Sequence, residues 1–146
     1  MRKSILGVIA FLTVFKLQIF AQTYTIPIND FKQQFSNFDS SNLKEVTTRG
    51  PMGDVVRYKT YPIEVIKCLD KEGNPVELKN SPSIEIRFTD INDKKTTFYF
   101  DLIRVDQMSV SGVQSRHMTW MQKTVPLNTL KKIEVQDGRK NYRYVK

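Results

Sequence analysis

Ile84-Glu85-Ile86-Arg87-Phe88-Thr89 and Thr96-Thr97-Phe98-Tyr99-Phe100-Asp101-Leu102-Ile103 decide the fold class. In both stretches apolar and polar residues alternate, the period-two pattern of a half-buried strand. A loop over residues 91–95 sets Phe88 opposite Phe98, Ile86 opposite Phe100 and Ile84 opposite Leu102. One face is then apolar throughout, and a slip of one residue would turn it to water. The same register puts Glu85 opposite Asp101. Like charges facing each other across a ladder are destabilising, so this pair needs a cation from Arg87, Arg104 or a neighbouring strand, or it has a use.

Outward from this pair the chain continues to read as β. Residues 55–61 and 63–69 are runs of strand formers with Pro62 at the bend, and 76–78 return after the turn Asp70-Lys71-Glu72-Gly73-Asn74-Pro75. Residues 105–110 and 117–122 predict a hairpin around Ser111-Gly112. Residues 130–136 and 140–145 predict another around Asp137-Gly138, a strong hairpin dipeptide, with Ile133 opposite Tyr142. Pro27 marks residues 24–28 as an edge strand or an extended arm. The single helical signal follows: Asp30 as cap with Gln33 three residues on, and Phe31, Phe35 and Phe38 on one face. The expected fold is mainly β, a small antiparallel barrel or sandwich of about eight strands with one short N-terminal helix packed on it.

Residues 1–21 read as an address. Arg2 and Lys3 form a basic head, residues 5–15 an uncharged apolar run, and Ala21 a small residue at a cleavage point. That is the layout of a secretory signal peptide, and the run falls short of the roughly 20 residues that span a bilayer. Residues 22–146 then form a single exported domain, periplasmic, outer-envelope associated or secreted, with no membrane-spanning segment once the leader is removed. The 146 residues are 40% hydrophobic and 26% charged, an ordinary globular composition. One cysteine excludes an internal disulfide, and one histidine excludes any metal site that needs two. Cys68, in Val65-Ile66-Lys67-Cys68-Leu69, reads as a buried, inert thiol.

The charge is unevenly placed. Residues 22–122 hold 13 basic and 13 acidic side chains, whereas residues 123–146 hold seven basic and two acidic. The cationic excess of the expected domain therefore lies in its last 24 residues. Lys131, Lys132, Arg139, Lys140, Arg143 and Lys146, interleaved with Tyr142 and Tyr144, form a basic-aromatic strand suited to anionic partners. Arg116 and Trp120 form a second such cluster beside His117. The competing explanation is that lysines on a terminal edge strand discourage sheet-to-sheet aggregation.

Catalytic chemistry finds little support. Gly50-Pro51-Met52-Gly53 lacks the lysine of a phosphate-binding loop. No Gly-x-Ser-x-Gly elbow occurs, and Arg116 beside His117 disfavours a general base. Glu85 with Asp101 is the best carboxylate pair for a glycosidase. The expectation is an exported, non-catalytic protein of the cell envelope, acting as a protein-binding or structural accessory module and needing no cofactor or metal. The alternative is a binder of an anionic glycan or lipid through the basic-aromatic C-terminal hairpin, and a hydrolase comes third. Nucleic acid is in the wrong compartment to be a partner.

Overall fold

A computed structural model describes residues 22–146, so the leader expected over 1–21 lies outside the described residues. Among the described residues the chain is mainly β, with one α-helix and three antiparallel sheets. The largest has six strands: β1 (Thr23–Thr25), β4 (Val65–Leu69), β5 (Pro75–Lys79), β6 (Ile84–Asp90), β7 (Lys95–Tyr99) and β11 (Leu130–Asp137). Their spatial order is β5-β4-β1-β11-β6-β7. A second sheet orders β10 (Gln122–Pro126), β9 (Ser109–Val113) and β8 (Arg104–Val105). The third orders β12 (Arg143–Val145), β2 (Lys44–Arg49) and β3 (Val55–Thr60). None of the three closes on itself.

The alternating pattern of 84–89 does build an interior strand of the large sheet, between β11 and β7. Ile86 stands opposite Val135 on one side and Phe98 on the other, and Phe88 stands opposite Ile133 and Thr96. All of these side chains are buried. The register of β6 with β7 differs from the expected one by two residues, which preserves the faces. The loop accounts for the shift. Asp90 accepts the backbone N–H groups of Asn92 and Lys94 at 2.8 and 2.9 Å, and Asp93 turns at φ 63°. Four residues then suffice for the turn, and Glu85 faces Tyr99 rather than Asp101.

Helix α1 (Ile28–Phe35) lays Phe31 and Phe35 into this core. Phe31 meets Phe88 edge-on with ring centroids 5.5 Å apart, and Phe35 meets Tyr61 at 5.6 Å. The helix starts two residues before the expected cap. Pro27 stands at the N-cap position, and Asp30 lies in the first turn, where its charge suits the helix dipole. Phe38 falls beyond the last helical residue and packs on Tyr61 half-buried.

Three sequence expectations are corrected, and one strand has no counterpart among them. β1 is central, between β4 and β11, because Pro27 lies past its end and removes no ladder hydrogen bond. β2 (Lys44–Arg49) carries no clean apolar alternation and escapes the pattern reading. Ser111-Gly112 is the middle of β9, not a turn. A Cβ on Gly112 would lie 2.6 Å from Phe98 Cγ, so the glycine serves close approach between sheets. The hairpin around Asp137-Gly138 does not form, because β11 is already flanked by β1 and β6 and has no free edge. Arg139 and Asn141, at φ 49° and 55°, instead swing the chain across to pair β12 with β2.

Cys68 is buried and its Sγ lies 3.6 Å from the Val76 carbonyl oxygen. Burial pushes its thiol up to about 11. In native protein at pH 8 it should react with iodoacetamide at least about a hundredfold more slowly than in 6 M urea. Comparable rates in both solutions would contradict this placement.

Candidate functional site

The two-residue shift in register has a consequence at the end of β7. Phe100 leaves the strand and begins a 3-10 turn, Phe100–Leu102, which points Asp101 inward. Its expected partner, Glu85, instead pairs with Lys140 and accepts a hydrogen bond from Gln136 at 3.4 Å. Asp101 meets Arg116: Nη2 lies 2.7 Å from Oδ1, and both side chains are wholly inaccessible to solvent. Nη2 also donates to the Pro82 carbonyl. Nη1 donates to the Tyr58 hydroxyl at 2.8 Å, Tyr58 donates to Asp101 Oδ2, and Tyr144 donates to the same oxygen at 3.0 Å. The guanidinium carbon sits over Tyr99 at 4.3 Å, Tyr142 at 5.0 Å and Tyr58 at 5.3 Å.

These residues come from every layer of the fold. Tyr99 and Asp101 end the large sheet, Tyr58 and Tyr144 belong to the β12-β2-β3 sheet, and Arg116 follows β9 in the remaining one. Isolated charges at this depth would cost several kcal/mol each. Here each carboxylate oxygen has a donor, and the cation has acceptors and ring faces. Burial opposes the charge on Arg116, but the Asp101 carboxylate and the Tyr58 oxygen outweigh it and hold its pKa above the ordinary arginine value.

The tyrosines respond to the same environment. Burial first, then the Asp101 charge, pushes the hydroxyls of Tyr58 and Tyr144 above the usual tyrosine range. Burial, then Tyr99, raises Tyr142. A folded pKa above the unfolded one means that the stability gained is complete below the unfolded value near 10 and drains as pH rises. The melting temperature should therefore fall steadily above about pH 9.5. In absorbance at 295 nm, two of the six tyrosines, Tyr58 and Tyr144, should ionise only together with unfolding. Six tyrosines titrating as one group in folded protein would contradict the burial of these hydroxyls.

Arg116 is thus a buried staple and not the exposed binding cation expected from sequence. What it staples is the β9–β10 connection, residues 114–121. The His117 N–H meets Ser115 Oγ at 3.2 Å and the Met121 N–H meets the Met118 carbonyl at 3.0 Å, so the loop is internally turned. His117 Nε2 lies 3.6 Å from Asp54 Oδ2, which ties the loop to the β2–β3 turn. Trp120 projects from it with 75% of its surface exposed, flanked by exposed Met118 and Met121, while Met52 is exposed on the β2–β3 turn.

The remaining basic-aromatic residues do not form one strip. Lys131 pairs with Asp93, Lys132 with Glu134 at 2.9 Å, and Lys140 with Glu85 and, at 3.3 Å, the Tyr99 hydroxyl. Arg143, Tyr144 and Lys146 lie on or beside β12, with Arg143 directly across from Arg49. Tyr142 is held by Ser83, whose Oγ meets the Tyr142 backbone N–H and carbonyl at 3.2 and 3.3 Å. Tyr142, Arg139, Arg143 and Tyr144 share the wall of a groove of about 610 Å³. Tyr58 escapes detection in sequence, and Asp101 is singled out there only as the partner of Glu85, because Arg116 is 58 and 15 residues away from them. Compared with protein families, curated proteins and solved structures, the chain matches none.

Proposed function

We propose that this is an exported, non-catalytic protein of the cell envelope that binds a protein partner through residues 114–121. Its sheets are read as an open sandwich with the loop at one end. The observation that carries the reading is Trp120, held 75% exposed between two exposed methionines. Tryptophan and methionine are enriched in protein interfaces, and tryptophan dominates their energetic centres. Burying such a residue inside the domain was open to this chain, which buries most of its other large aromatic side chains. The Arg116 staple four residues earlier supports the same reading, because a loop already fixed loses less entropy on binding. The docking element proposed is this loop and not the C-terminal segment, whose lysines are largely paired with acids of the same chain.

The test is site-specific crosslinking in the cell that makes the protein. A photoreactive phenylalanine analogue at position 120 should give one discrete heavier adduct. The same analogue at Glu72, in the β4–β5 turn, should give none. Trp120→Ala should leave the melting temperature within about 1 °C and weaken binding of the identified partner by about thirtyfold or more. Absence of any adduct at position 120, or adducts of equal yield at both positions, would overturn the reading.

A further inference from the structure

A second surface does not include Trp120 and carries its own chemistry. The groove beside β12 runs between the β12-β2-β3 sheet and the β4–β5 end of the large sheet. Its volume of about 610 Å³ adjoins another of about 710 Å³, and the two share Lys79, Asn80 and Tyr144. Each falls within the range of small-molecule sites, about 300–1,000 Å³. Tyr24, Tyr142 and Tyr144 line the first, next to the cations Lys79, Arg139 and Arg143 and one acid, Asp137.

Lys79 and Arg143 differ from the lysines of β11. Among the described residues Lys79 and Arg143 have no ion pair, whereas Lys131, Lys132 and Lys140 each have one. Arg143 also stands directly opposite Arg49, and like charges in that position repel. A bound anion would relieve that repulsion. The side-chain oxygen of Asn80 is buried without a donor. Ring faces, an amide and unpaired cations together match a hydroxyl-rich ring bearing an acid group. An acyl chain would need an enclosed apolar tunnel, and this groove is only partly enclosed.

We infer that the groove lined by Lys79, Asn80, Tyr142, Arg143 and Tyr144 binds a short acidic saccharide, with Arg143 and Lys79 on its carboxylate or sulfate groups and the tyrosines against its sugar rings. The inference goes beyond the partner reading and does not rest on it: Trp120→Ala leaves this site intact.

Titration of the folded protein with trigalacturonic acid and with a heparin tetrasaccharide, followed by amide shifts in NMR, tests it. At least one should bind and shift the amides of Asn80 and Arg143. Maltotetraose, its neutral counterpart, should bind about tenfold more weakly or worse. Lys79→Gln with Arg143→Gln changes two surface side chains, so the spectrum stays dispersed and affinity falls about tenfold or more. Failure of both acidic oligosaccharides to bind at about 1 mM overturns the inference. So does affinity within twofold in the double variant, or retention by phosphatidylglycerol vesicles with no saccharide binding.

Discussion

Arg116→Met should lower the stability of the domain by about 3–5 kcal/mol, the cost of leaving a buried carboxylate without its partner. In a domain of this size that corresponds to a fall in melting temperature of roughly 10–20 °C. Asp101→Asn should cost a comparable amount, since it leaves the guanidinium uncompensated among Tyr58, Tyr99 and Tyr142. The informative variant is the double replacement, Asp101→Asn with Arg116→Met. Removing both charges removes both desolvation penalties, so the pair of changes should cost less than the sum of the single ones by about 2 kcal/mol or more. Additive losses in urea melts would mean that the two side chains act independently, against the 2.7 Å contact between them.

The second large effect is expected at Phe31. Its side chain is fully buried, and it meets both Phe35 and Phe88, joining the helix to an interior strand of the sheet. Phe31→Ala should cost about 3–5 kcal/mol, combining lost burial with an unfilled cavity. Phe38→Ala should cost no more than about half as much, because Phe38 is only partly buried beyond the helix end. The two side chains look equivalent in the sequence, where Phe31, Phe35 and Phe38 follow one helical face. Equal losses in the two variants would show that the helix continues through Phe38.

The comparison of these phenylalanines shows what the sequence discloses. Period-two alternation in 84–89 and 96–103 locates β6 and β7 and their buried face, because burial acts on every second residue whatever the register, but residues 100–102 leave the strand for a 3-10 turn. The register itself depends on the Asp90 side chain capturing two loop amides, a local contact with no periodic trace. From that shift came the larger error: Glu85 and Asp101 were expected to face each other, and each instead has its own cation.

The same kind of limit governs the C-terminal segment. Asp137-Gly138 is a valid hairpin signal locally, but pairing is decided by which strand edges remain open, and β1 and β6 occupy both edges of β11. The basic-aromatic residues of that segment are consequently dispersed. Lysines of β11 meet nearby acids, while Tyr142, Arg143 and Tyr144 border a groove that no linear pattern announces. Arg116 and Trp120 stand together in the sequence as one basic-aromatic cluster. One is buried and the other exposed, because only a guanidinium with carboxylate, phenol and carbonyl acceptors around it can be accommodated at that depth.

The pair buried between the sheets fixes the loop that carries Trp120. Heteronuclear NOE values for the backbone amides of residues 117–121 measure this directly, in native protein and in Asp101→Asn below its melting transition. The values should match those of β6 and β11 in the unmodified protein and drop to those of a mobile loop in the variant, with the sheet amides unchanged. Loop values that are already low in the unmodified protein, or that stay high after the aspartate is neutralised, would contradict it.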